Sequence, residues 1–286
     1  MPAVLLVGLL VFIVVFLLAL VVIPRVGSKE VQEWADSYGV PADGPNRELI
    51  ERYLTRTRRI RMLWAVAGLL FGGSFVRLFF AKPQPWASGA VLALAGYLLG
   101  AFIAERTLPP TGRGGTPSAV LSPRTLRAYV PRYAIVALVC LPLALVVLVP
   151  VYAGISPPPR AGLAPVPTLV GACVVGVLFA ISVGQTMRGV IRRPQAGTSA
   201  DLVAVDDGFR SSSLHALAGA GVALELLLIA FELSQIQGAL SFRNESSDWA
   251  AVLALFAAAM SIASWVVLGH PRSWRTRRPL LEGQLG

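Results

Sequence analysis

Residues 3–23 have the sequence AVLLVGLLVFIVVFLLALVVI, which contains no charged side chain. A helix that crosses the hydrocarbon core of a bilayer needs roughly 20 mostly apolar residues. Lipid gives unpaired backbone groups no hydrogen-bond partner, so an uninterrupted helix is the expected form of such a segment. This stretch therefore predicts a membrane-spanning helix.

Six further segments of this kind predict an all-α, polytopic integral membrane helix bundle with seven transmembrane helices. Of the 286 residues, 55% are hydrophobic and 14% are charged, whereas soluble domains have about 25% charged residues. This composition excludes a disordered chain, a collagen and a secreted disulfide scaffold. The six later spans are predicted at residues 62–80, 87–107, 133–153, 166–187, 214–235 and 249–269.

A cleaved signal peptide is the alternative for the first segment. Signal peptides have a basic region before an apolar core of about 7–15 residues. Here only Met1 and Pro2 precede the apolar run, and the nearest basic residues, Arg25 and Lys29, follow it. We therefore expect a retained anchor whose N-terminus is outside.

The basic residues predict the orientation of the chain. Twenty-one Lys and Arg residues lie in the tail and in the loops that follow segments one, three and five, and three lie in the other loops. Positive charge concentrates in cytoplasmic loops, so the C-terminus is expected in the cytoplasm. The same distribution explains the net charge of +10 without nucleic acid as a partner.

This topology divides the chain into four parts. Residues 1–23 are the N-terminal transmembrane anchor, and residues 24–61 are a cytoplasmic helical loop. Residues 62–269 are a six-helix transmembrane bundle, followed by a cytoplasmic tail at residues 270–286. The expected location is the plasma membrane, with multiple passes.

Two amphipathic helices are predicted within the cytoplasmic loop. Ser28 is a candidate N-cap of the first helix, and Gly39 is placed to end it. Asn46 is a candidate N-cap of the second helix, which continues into the second span. The apolar face of the first helix consists of Val31, Trp34, Ala35 and Tyr38.

A basic cytoplasmic patch of four arginines lies just before the second span. It contains Arg56, Arg58, Arg59 and Arg61. It has two interpretations: contact with anionic lipid headgroups or a cytoplasmic partner, or a basic flank that orients a helix packed beneath the bundle. The lipid bilayer is the first expected partner, and a membrane-protein partner or a homo-oligomer is the second.

Catalytic chemistry is not expected from this sequence. The chain has no P-loop, HExxH, GxSxG or kinase signature, so we predict no enzymatic activity and no cofactor. No metal site is predicted either, because Cys140 and Cys173 stand alone in apolar runs. Asp206 and Asp207 are expected to cap and form salt bridges beneath the sixth span.

Ionisable residues at membrane depth are the candidate functional residues, because a charge there is costly and usually faces the bundle interior. Glu225 is near the middle of the sixth span, and Glu232 is seven residues further on nearly the same helix face. Arg77 lies near the outer end of the second span, at a depth that permits pairing with Glu232 or snorkelling to the headgroups.

Two short stretches carry a resemblance. RYLTRTRR, at residues 52–59, and DDGFRSSS, at residues 206–213, each precede a predicted span. They resemble stretches in uncharacterised multi-pass membrane proteins of high-GC actinobacteria. The resemblance implies a plasma-membrane location and carries no activity and no catalytic residues.

Two functions remain open. The first is an accessory or structural component of a membrane transport or envelope system, which the absence of catalytic motifs favours. The second is a small-solute or proton-coupled transporter that uses the midplane Glu225.

Overall fold

The computed structural model describes residues 26–79, 89–107, 125–155, 163–193, 200–243 and 245–269, with the side chains of residues 73–79 and 200 left out. These residues form seven α-helices and one 3₁₀ helix, and no strand occurs among them. The predicted all-α fold is therefore confirmed. The helices are α1 Ser28–Tyr38, α2 Gly44–Phe79, α3 Gly89–Arg106, α4 Arg132–Ile155, α5 Val166–Arg192, α6 Ala200–Phe242 and α7 Asp248–Gly269, and the 3₁₀ helix is Leu126–Ala128.

Five of these helices, α3 to α7, are long and apolar enough to span a membrane. Large apolar side chains are exposed along α4, α5 and α7, including Val139, Leu178 and Leu255. Such broad apolar surfaces are rare on soluble proteins and fit contact with lipid. The first predicted span lies outside the described residues, and the second lies in α2, whose last side chains are not described.

Helix α6 is the central element of the bundle, and α3, α4, α5 and α7 all pack against it. In its most apolar window 67% of the residues are buried, compared with 17% in α4 and in α5. It has 43 residues, about 65 Å at a rise of 1.5 Å per residue. Since the hydrocarbon core is about 30 Å thick, α6 extends well beyond the predicted span at residues 214–235.

The described part of the predicted cytoplasmic loop folds into α1 and the start of α2, and the predicted apolar face of α1 is confirmed. Val31 and Ala35 of α1 are buried, and Trp34 and Tyr38 pack in the same cluster. Gly39 adopts the left-handed conformation that ends α1, with φ of 65°. The other members of this cluster include Ile50 and Tyr53 of α2 and Val205 and Phe209 of α6.

Both predicted N-caps of these helices are wrong, by one residue for α1 and by three for α2. Gly27 caps α1, and the Glu30 side chain accepts the Gly27 N–H at 3.2 Å. Helix α2 begins at Gly44, which leaves Asn46 buried inside the first turn. The predicted boundary between residues 61 and 62 falls inside α2, because the amphipathic and apolar segments form one continuous helix.

Candidate functional site

Glu225 lies at the centre of the bundle. Its side chain is fully buried, with a relative exposure of 0%, because it lies on the face of α6 that packs against α4 and α5. A Cβ atom added to Gly176 of α5 would lie 3.2 Å from Glu225 Oε2 and 2.7 Å from a Leu145 methyl group of α4. The carboxyl therefore lies directly against the α5 backbone.

Glu232 lies two turns further along α6 and is also fully buried. Its surroundings are the apolar core cluster that includes Leu169, Cys173, Ile229 and Ile236. Within the described part of the chain, neither carboxyl oxygen of Glu225 or of Glu232 has a hydrogen-bond partner. A carboxyl at such a depth has to take up a proton or meet a cation to avoid the cost of an isolated charge.

The predicted pair between Arg77 and Glu232 lies outside the described side chains. Arg77 belongs to α2, but the structure gives only its backbone. The pairing therefore stays a prediction.

The four arginines predicted as one basic patch have different environments. Arg56 is exposed and donates to the carbonyl oxygen of Thr107 at 2.8 Å. Arg58 forms an ion pair with Glu30 of α1 at 2.6 Å, and this hydrogen bond lowers the pKa of Glu30. Arg59 is half-buried. Arg61 points into the protein, with its side chain 14% exposed.

Arg61 belongs to a buried polar cluster that the sequence did not predict, centred on Glu105 of α3. The Glu105 side chain is fully buried. Its carboxyl accepts hydrogen bonds from Ser213 at 2.6 Å, from Tyr53 at 3.2 Å and from Arg61 at 3.3 Å. We call Tyr53, Arg61, Glu105, Ser212 and Ser213 the Glu105 cluster.

The Glu105 cluster joins α2, α3 and α6 at the predicted cytoplasmic end of the bundle, and α1 contacts it through Trp34. Trp34 of α1 donates to Ser212 of α6 at 3.5 Å, and the Tyr53 hydroxyl lies 3.1 Å from the same oxygen. Burial raises the pKa of Tyr53 far above its ordinary value, and the charge of Glu105 raises it further. Tyr53 therefore keeps its proton and remains a donor to Glu105.

A second buried ion pair lies near this end of α6. Arg210 contacts Asp206 at 2.7 Å and donates to the carbonyl oxygens of Val190 and Ile191 at the end of α5, each at 3.2 Å. Asp207 accepts a hydrogen bond from Tyr129 at 2.7 Å. Asp206 thus forms a salt bridge as predicted, whereas the predicted capping role is wrong because Asp206 and Asp207 lie inside α6, which begins at Ala200. No group of three or more His, Cys, Asp or Glu residues suited to a metal ion occurs among the described residues.

The fold and its apolar surfaces define this chain as an all-α membrane protein. No protein-family model, curated protein or solved structure matches it. The evidence for function is therefore the arrangement of the side chains themselves.

Proposed function

We propose that this chain is a multi-pass protein of the plasma membrane that acts as a small-solute or proton-coupled transporter, with Glu225 as its central ionisable group. The observation that carries this proposal is the full burial of the Glu225 carboxyl without a hydrogen-bond partner. A buried structural carboxyl normally has a partner, as Glu105 does. A carboxyl without one is suited to bind and release a proton.

Orientation and location are part of the proposal. The basic residues support an outside N-terminus and a cytoplasmic C-terminus, and the resemblance to actinobacterial proteins supports the plasma membrane. We further propose that the protein has no enzymatic activity and moves its substrate without chemical change.

Proton flux in liposomes tests this function. The purified protein, Glu225→Gln and Glu225→Asp are reconstituted, a proton gradient is imposed, and the internal pH is followed with a trapped dye. Glu225→Gln keeps the shape but cannot titrate, so flux should fall to that of protein-free liposomes, and Asp should restore part of it. Glu48→Gln changes an exposed ion pair on α2 and is the matched control. Unchanged flux in Glu225→Gln, or no flux in any form, would reject the function.

An accessory component of a transport or envelope system is the second candidate, and a groove between α4 and α6 favours it. The groove has a volume of about 540 Å³ and an apolar lining that includes Leu143, Ala144 and Val147 of α4 and Leu233 of α6. Such a surface suits a neighbouring helix better than a polar solute. Affinity purification from native membranes should then retain a partner that Ala144→Trp releases, while Leu255→Trp, on the exposed face of α7, does not.

A further inference from the structure

We infer that Glu225 and Glu232 form a two-site proton pathway along one face of α6, which continues toward Gln235 and Ala164 and is interrupted by apolar side chains toward the Glu105 cluster. This inference rests on the proposed function and specifies its ligand and its direction. Two carboxyls seven residues apart lie on nearly the same helix face, roughly 10.5 Å apart along the axis. That separation is too great for one metal ion and suits two successive proton sites.

The burial of the two carboxyls is the first support. Both side chains have an exposure of 0%, and none of their four oxygens has a hydrogen-bond partner among the described residues. On α5, the thiol of Cys173 interacts electrostatically with both carboxyls. No described cation neutralises the pair, so a proton is the ligand that this environment accepts most readily.

The polar groups beyond Glu232 give the direction. Gln235 is buried three residues further along α6, and its Oε1 accepts the backbone N–H of Ala164 at 2.9 Å. The Tyr152 hydroxyl donates to the carbonyl oxygen of Ala164 at 2.6 Å. Buried polar groups are therefore present beyond Glu232, beside Ala164 just before α5, on the predicted outer side.

The opposite direction is closed by an apolar layer. Leu214, Leu217 and Val222 of α6 are buried between Glu225 and the Glu105 cluster, and Val183 and Met187 of α5 pack against them. His215 is the titratable residue at this level of α6, but its Nδ1 lies 2.8 Å from the carbonyl oxygen of Ser211, in its own helix. We therefore place proton exchange on the predicted outer side, where buried Gln235 and Tyr152 would have to move to admit water, whereas exchange with the cytoplasm requires the apolar layer to rearrange.

Modification by dicyclohexylcarbodiimide tests the proton sites without a transport assay. This apolar reagent reacts with protonated carboxyls inside membranes, and the adducts are located by peptide mass spectrometry. The full-length protein in native membranes should be modified at Glu225 and Glu232, and modification should decrease as the pH rises. Glu105, held by Arg61 and Ser213, is the internal control that should stay unmodified. Absence of adduct at either Glu225 or Glu232 would overturn the two-site pathway.

The variant Glu232→Gln tests whether the two sites act in series. Proton flux should be lost while Glu225 still reacts with the carbodiimide, because the proton site at position 232 is missing and the site at Glu225 remains. Gln has nearly the shape of Glu, and an unchanged melting temperature in detergent would show that the fold is kept. Unchanged flux in Glu232→Gln would overturn the pathway. Modification of both sites in a protein without any flux would reject the transport function and leave proton binding intact.

Discussion

Three buried glutamates show how the same residue type serves different purposes in this protein. Glu105 receives hydrogen bonds from Ser213, Tyr53 and Arg61, so its charge is compensated. Glu225 and Glu232 have no hydrogen-bond partner among the described residues, although all three side chains are fully buried. Burial alone therefore does not distinguish these glutamates, whereas the missing hydrogen-bond partners separate Glu225 and Glu232 from Glu105.

Removal of the Glu105 carboxyl should destabilise the protein strongly. Glu105→Ala leaves the guanidinium of Arg61 buried without its carboxylate, and breaking a buried pair in this way costs about 3–5 kcal/mol of unfolding free energy. Glu48→Ala, which removes an exposed ion pair, should cost about 0–1 kcal/mol. Unfolding by sodium dodecyl sulfate in mixed micelles measures both values. Equal losses in the two variants would show that the Glu105 cluster does not stabilise the fold.

The predicted depth in the membrane identified Glu225 and Glu232 as candidate functional residues from the sequence, but it did not identify Glu105. Glu105 stands beside Arg106 at the end of a predicted span, where it is easily taken for an interfacial residue. Its partners Tyr53, Arg61 and Ser213 are 52, 44 and 108 positions away, and the cluster exists only after three helices pack together. One sequence signal for the cluster was available: Arg61 and Glu105 both lie at predicted cytoplasmic ends of spans, so they are expected at the same depth.

At the scale of the helices, the closest contact is between α2 and α3, where two backbones meet at glycines. A Cβ atom on Gly68 would lie 2.1 Å from the carbonyl oxygen of Leu92, and one on Gly96 would lie 2.1 Å from that of Trp64. Gly100 also lies against α2, 2.8 Å from the Trp64 Cβ by the same measure. The GxxxG pattern at residues 96–100 thus serves tight helix packing.

Substitution of these glycines should separate the two helices. Gly96→Ala places a methyl group against a backbone oxygen that cannot rotate away, and overpacking of this kind costs about 1–3 kcal/mol. Gly171→Ala on α5 is the matched control, because nothing lies within 4 Å of its added Cβ. The melting temperature in detergent should fall for Gly96→Ala and stay unchanged or rise for Gly171→Ala. A similar melting temperature for both would contradict the close contact.

Element type was predictable from the sequence, whereas element length was not. Apolar runs predicted the positions of the spans because a helix in lipid must be apolar. Hydropathy does not predict how far such a helix continues outside the membrane. Helix α6 extends to Ala200 because Val205 and Phe209 pack against α1 and α2. In the same segment, Asp206 and Arg210 form an ion pair. The contacts of Val205 and Phe209 join distant parts of the chain and have no local sequence signal, whereas Asp206 and Arg210 are only four residues apart.

At the scale of the whole molecule, α6 connects the Glu105 cluster with the midplane carboxyls. Ser213 lies in the cluster, Glu225 and Glu232 lie in the bundle, and one continuous helix carries all three. A displacement of α6 would therefore move Ser213 in the Glu105 cluster together with Glu225 and Glu232. The predicted cytoplasmic loop contacts the same helix, because Trp34 and Tyr53 both form hydrogen bonds with Ser212.

The orientation of α5 gives the decisive test of the predicted topology. Helix α4 ends at Ile155 and α5 at Arg192, so the segments that follow them flank α5 at opposite ends. Single cysteines are introduced as Ser156→Cys and Gly197→Cys after Cys140 and Cys173 are replaced by alanine. Because basic residues concentrate on the predicted cytoplasmic side, an impermeant maleimide should modify position 156 in intact cells, and position 197 only after permeabilisation. The reverse pattern would invert the topology, and modification of both in intact cells would show that α5 does not cross the membrane.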